Sequence, residues 1–190
     1  MAGHAAKRET TPPPGLIARR PTEDDHPRLA RAIDRWWGEQ GRGRLPRFWL
    51  RNFSGTSWLA ETSDGSPAGL LIGFMSPNHP DEAVLQLIAT RPGLRRRGIA
   101  RGNVARFAAD ARARGARRIR AVIWPGNRVG VAFLREVGFS AVDSVGGAHL
   151  YGSPAVVDYD GEEEDRTILT LELEPAGQLD LNSVGAPRSR

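Results

Sequence analysis

Two hydrophobic periods alternate along this chain, and the points where one gives way to the other mark a mixed order of strands and helices. Gly15 to Arg20 (GLIARR) is a short apolar run that reads as a first strand, and Pro21-Thr22-Glu23-Asp24-Asp25 turns it into a helix bearing Leu29, Ile33, Trp36 and Trp37 at helical spacing. A second helical piece follows Pro46, with Phe48, Trp49, Leu50 and Phe53. Ser57 to Glu61 and Ala68 to Met75 read as strands joined by the turn SDGSP, hence a hairpin. Asp81 to Thr90 is a further strand, expected to pair with the one before it.

The next switch of period carries the most information. Pro92 and Gly93 end the apolar run, and Ile99, Ala100, Val104, Phe107, Ala108 and Ala111 then recur at helical spacing, so a helix starts near Gly98. The first backbone N–H groups of a helix lack intrahelical partners, and the macrodipole favours an anion in front of them. Gly98 and the small Ala100 allow close approach to the backbone, while Arg95, Arg96 and Arg97 place positive charge around the turn. A diphosphate fits these terms. Beyond it come a strand RIRAVIW (Arg118 to Trp124), a helix around Val129, a strand at Phe139 to Asp143, a long connection and a last strand at Thr167 to Leu173.

Residues Arg95 to Ala100, RRRGIA, resemble the Q/R-x-x-G-x-G/A signature of the GCN5-related N-acetyltransferase superfamily, in which that loop binds the pyrophosphate of acetyl-CoA. The strand RIRAVIW, Asn127, the short helix GVAFLREVG and Gly138-Phe139 resemble the family's next element. The resemblance spans about Gly15 to Glu174, with its specific motifs between Leu85 and Phe139. It implies an α/β (α+β mixed sheet) fold with a central twisted sheet splayed between two strands, helices on both faces and acetyl-CoA in the splay. It also implies that the pantetheine arm bonds to the backbone of Ile88, Ala89 and Thr90, that Arg95, Arg96, Arg97, Gly98, Ile99 and Ala100 hold the pyrophosphate, and that Asn127 lies beside the pantetheine or the reacting end. Asn127 after Pro125-Gly126 is equally a turn residue.

Composition narrows the field. A chain of 190 residues with 39% hydrophobic content forms one domain, expected over residues 15–174 between flexible tails at 1–14 and 175–190. Without cysteine there is no disulfide framework, thiolate zinc site or cysteine nucleophile, and no metal is expected. No apolar stretch has the length of a membrane helix or a signal peptide, so a soluble, cytoplasmic protein with no membrane partner is expected. The net charge is +5, and residues 91–120 hold eleven arginines against Asp110 alone. No nucleic-acid-binding signature accompanies that charge, so a solvated helix face is expected rather than a nucleic-acid partner. Charge is segregated, because Asp158 to Asp165 (DYDGEEED) is acidic.

Acetyl transfer to an amine needs a neutral nucleophile, a polarised thioester carbonyl and a proton for the departing thiolate. Glu82 is the leading candidate base, since many family members carry one on this strand, and His79 is second. The tyrosine that many members place seven residues after the Asn is Leu134 here, leaving Tyr151 or Tyr159 as stand-in acids, or water. The family's acceptor pocket lies between the first two helices and the late connection, so Trp36 and Trp37 are candidate acceptor-binding residues. The activity expected is acetyl-CoA-dependent acetylation of a small amine. A catalytically silent acyl-CoA-binding module is the alternative, and a homodimer is among the expected assemblies.

Overall fold

A computed structural model of the chain describes residues 15–38, 43–143 and 148–173; both expected tails fall outside them. Strands β1 (Leu16–Arg19), β2 (Trp58–Thr62), β3 (Pro67–Met75), β4 (Glu82–Thr90), β5 (Arg118–Ile123), β6 (Ser140–Ala141) and β9 (Thr167–Glu172) form one sheet in the order β1-β2-β3-β4-β5-β9-β6. Strands β7 (His149–Leu150) and β8 (Ser153–Pro154) form a separate small hairpin. The helices are α1 (His26–Trp37), α2 (Arg47–Phe53), α3 (Ile99–Ala113) and α4 (Arg128–Glu136). Every sheet pairing is antiparallel except β4 with β5. A parallel pair requires a crossover, and α3 supplies it.

Both faces of the sheet are covered. Leu71, Leu85, Val104, Phe107, Ile119, Ala121, Leu134 and Leu169 form the core beneath α3 and α4. Leu29, Ile33, Leu50, Leu59, Leu70, Ile72 and Leu87 form a second core beneath α1 and α2. Two glycines of β3 let α3 lie close to the sheet. A Cβ on Gly73 would stand 2.5 Å from the Phe107 ring, and one on Gly69 would stand 2.5 Å from Ile99 Cγ2. The helix is thereby seated with its first turn at the C-terminal end of β4. Among the described residues no helix is long and apolar enough to cross a membrane.

The element order matches the sequence reading up to α4 and departs after it. The strand expected at Phe139 to Asp143 pairs only at Ser140 and Ala141, at the sheet edge against β9, because Phe139 is drawn into the core behind Gly138, which adopts φ 105°. The expected long connection holds the β7–β8 hairpin, whose two turn residues, Tyr151 and Gly152, both have positive φ (54° and 83°). Two consecutive left-handed residues make the primed turn that suits hairpin twist, but Asn-Gly or Asp-Gly is its usual sequence. Tyr-Gly gives no such signal.

Candidate active site

The turn before α3 has the backbone of an anion cradle. Gly98 is the N-cap residue, at φ 79° and ψ 0°. Arg96 is also left-handed, at φ 61°, whereas Arg97 between them is not. Alternating handedness turns successive N–H groups toward one point, and α3 adds its own unpartnered N–H groups and dipole behind them. Arg95, Arg96 and Arg97 are exposed around this turn, Ile99 is buried against β3, and Ala100 is half-buried. A further polar group waits nearby: Thr90 Oγ1, at the end of β4, is buried without a hydrogen-bond partner. That orphan hydroxyl, beside an exposed cationic turn, fits a polar ligand running from β4 to the helix terminus.

Next to the cradle, the sheet opens. Strands β4 and β5 pair from Glu82 with Arg118 to Leu85 with Ala121, and no farther. From Gln86 to Thr90, β4 keeps β3 on one side and, among the described residues, has no strand on the other. Ile88, Ala89 and Thr90 therefore border the opening. At its apex lies a β-bulge, since Ile72 pairs with Leu87 while Gly73 pairs with Leu85, leaving Gln86 as the extra residue. Gln86 is exposed between two buried leucines.

On the face of the sheet opposite α3, a strip of polar side chains, the trough, lies beside this apex. Ala83, Leu85, Ile119 and Ala121 point into the α3–α4 core, so alternation sets Glu82 and Val84 of β4 and Arg118, Arg120 and Val122 of β5 on the other side. Trp36, Trp37 and Trp49 are partly buried against the core beneath α1 and α2 on that side. From the late connection, Tyr159 reaches Arg120, whose Nη2 donates to the phenol oxygen at 3.1 Å. The hairpin brings exposed Tyr151 against exposed Trp124 at the end of β5, ring centroids 5.8 Å apart. A Cβ on Gly126 would stand 2.4 Å from the Trp124 ring, so this glycine lets the indole fold back.

The candidate base is differently placed. Glu82 is 7% exposed, and its Oε2 accepts from Arg118 Nε at 3.0 Å. Asp81 adds a second ion pair to the same guanidinium at 3.2 Å. Hydrogen bonding to Glu82 holds Arg118 above its ordinary pKa. His79 is exposed in the turn between β3 and β4. Asn127 Oδ1 accepts from Gly130 N–H at 3.0 Å and so caps α4. The structure thus gathers Ile88 to Thr90 and the Arg95 to Ala100 turn at one end of the opening, with Tyr151 at the end of β5, and leaves Glu82 and His79 at the far end of β4.

Comparison with known proteins gives the family and the fold. Residues 17–139 match the model of the acetyltransferase (GNAT) family. The chain belongs to that family. It is 30% identical over 106 residues to the L-2,4-diaminobutyric acid acetyltransferase of Nocardia farcinica, a segment that makes up 56% of this chain and 52% of that protein. The chain therefore spans about half the length of that relative. Its fold is similar to that of the diaminobutyrate acetyltransferase from Paenibacillus lautus in complex with L-2,4-diaminobutyric acid and coenzyme A, with 23% identity, TM-score 0.59, and coverage of 83% of this chain and 95% of that one. It is also similar to the ribosomal-protein-S18-alanine N-acetyltransferase from Escherichia coli, with 19% identity, TM-score 0.61, and coverage of 86% and 97%.

Within the GNAT frame, three features of this chain take their meaning from the fold rather than from its motifs. The bulge at Gln86 leaves only a faint trace, one amide inside the apolar run Ala83 to Ala89. Arg118 and Arg120 alternate with Ile119 and Ala121 at the start of RIRAVIW, which announces a strand with one polar face but not what that face, or Trp124 after it, meets. Leu134, in the family's tyrosine position, is 2% exposed in the α3–α4 core. Its α4 position thus faces the core.

Proposed function

We propose that the chain catalyses transfer of the acetyl group of acetyl-CoA to the amine of a small acceptor. The observation that carries this reading is the opening between β4 and β5, with the Gly98 turn at one end and the polar trough at its apex. Acetyl-CoA, the co-substrate, supplies the activated acyl group. The free edge of β4 at Ile88 to Thr90 would bind an extended pantetheine as a strand, with Thr90 Oγ1 gaining a partner, while the Arg95 to Ala100 turn would take the diphosphate. The Gln86 bulge would aim backbone N–H groups at the thioester carbonyl. The acceptor enters from the trough. Its nitrogen bonds to the acyl carbon as the carbon–sulfur bond breaks, one proton leaves the nitrogen, and one is taken up by the thiolate.

Two proton routes follow from the placement of the side chains. Glu82 lies four residues before Gln86, roughly 13 Å along the strand at about 3.3 Å per residue, and its carboxylate is engaged by Arg118. Direct contact with the reacting amine is out of its reach, so water in the trough carries that proton. The thiolate also takes its proton from water, which suits a leaving thiol of pKa about 8.5. The test is thermal stabilisation by acetyl-CoA and by CoA, followed by thiol release against a panel of amines. Stabilisation with release supports the acetyltransferase reading. Stabilisation without release for any amine favours a silent acyl-CoA-binding module, and no stabilisation overturns both.

A further inference from the structure

The trough holds two arginines two residues apart on one face of β5, and they are not equivalent. Arg118 is ion-paired to Asp81 and Glu82. Arg120, half-buried beside the apex of the opening, touches a phenol, and among the described residues no carboxylate lies within ion-pair distance of it. Its Cα partners are Val84 on β4 and Thr170 on β9, neither able to balance its charge. A guanidinium part-way out of water prefers a planar anionic partner, which it binds through two parallel N–H groups. Tyr159 accepts from one Nη and leaves the rest of the fork available.

Resting on the acetyltransferase reading above, we infer that Arg120 is the anchor for a carboxylate on the acceptor, so that the acceptor is an amino acid rather than a simple amine. Tyr159 is its positioning residue, holding the guanidinium by one nitrogen. The neighbouring trough favours the rest of such a molecule. Arg120 lies one residue before Ala121, the last residue of β5 paired with β4, so an amine two to four carbons from the bound carboxylate reaches the apex where Gln86 lies. In the acidic stretch around Tyr159, Asp160 and Glu164 are ion-paired to Arg166 and not to Arg120. The anion of the acceptor is thereby fixed at Arg120.

The experiment uses amino acids and their decarboxylated counterparts: L-2,4-diaminobutyrate with 1,3-diaminopropane, L-ornithine with putrescine, and L-lysine with cadaverine. Each is assayed for thiol release from acetyl-CoA and for calorimetric binding to CoA-saturated protein. In the wild type at least one acid exceeds its counterpart in kcat/KM by roughly 10- to 100-fold, the range expected for a hydrogen-bonded charged partner. Arg120→Gln brings that ratio to within about threefold of one. Arg120→Lys keeps part of it, which separates loss of charge from loss of fold, and Tyr159→Phe raises KM for the acid with kcat unchanged. If acetyl transfer occurs without preference in any pair, or the preference survives Arg120→Gln, the anchor is overturned and the acetyltransferase reading stands. If nothing is acetylated but an acid binds and Arg120→Gln weakens it tenfold or more, the anchor stands and the acetyltransferase reading falls. Failure of every acid to bind or react overturns the anchor.

Discussion

Single positions in this chain divide sharply between chemistry and support, and backbone angle separates them as well as side-chain identity does. Gly98 at φ 79° occupies a region that costs other residues roughly 1–2 kcal/mol, and its backbone faces the place proposed for two phosphates. Gly98→Glu adds strain and a repelling carboxylate together. CoA affinity measured by calorimetry should fall by on the order of 100-fold while the far-UV spectrum is retained; unaltered affinity in folded protein would remove the cradle from the site. Glu82 stands on the other side of the division. Its carboxylate joins β4 to Arg118 at the closed end of the β4–β5 pair, so Glu82→Gln should change kcat by less than about threefold, far below the 10²-fold scale of a lost general base. A fall of that larger size with acetyl-CoA affinity intact would restore Glu82 as the base. Leu134→Tyr places a phenol among Phe107, Ile119 and Leu169. It should cost about 1–3 kcal/mol of stability through overpacking, with no gain in kcat.

Elements explain how much of this was legible in the sequence. The β3–β4 hairpin, α3 and α4 are long enough for their period to show, and RRRGIA names its own position because glycine at a helix N-cap and a following small residue are local requirements. Alternation does not report where pairing stops. The opening exists because β5 ends at Ile123 and its pairing with β4 ends earlier, at Leu85 with Ala121. That is a property of two segments 36 residues apart in the chain, as the Arg118 to Glu82 contact shows. The β7–β8 turn was hidden for a different reason, since its first left-handed position is filled by Tyr151, a residue that carries no turn signal. The seating of α3 rests on Gly69 and Gly73, which a strand pattern reads as weak points. Gly73→Ala would press a methyl to within 2.5 Å of the Phe107 ring. It should lower stability by roughly 1–3 kcal/mol and, by lifting α3 from β3, weaken CoA binding as well. A chemical-denaturation midpoint equal to wild type would show that Phe107 yields without cost.

At the scale of the whole molecule, the N-terminal elements are fastened to one another by charge at one edge of the sheet. Arg19 of β1 donates to both Asp25 and Glu61, and Arg28 of α1 donates to the same two carboxylates. Four charges thus tie β1, β2 and the start of α1 together. Asp25 also accepts from the Thr22 N–H at 2.7 Å, closing the turn into α1. Hydrogen bonding from Arg19 holds the Asp25 carboxyl far below the usual carboxylate range, against a burial effect that opposes it. A carboxyl whose pKa is lower folded than unfolded contributes stability that is complete above its unfolded value, about 4, and is lost as pH falls below it. The wild type should therefore lose melting temperature steeply between about pH 5 and pH 2. Asp25→Asn should begin lower at pH 7, by on the order of 2–3 kcal/mol, because it leaves two partly buried guanidinium groups sharing Glu61, and should then decline less over the same interval. The two melting curves converge toward acid. Parallel curves from pH 7 to pH 2 would place the acid sensitivity of this protein elsewhere than in the Arg19–Asp25–Arg28–Glu61 network.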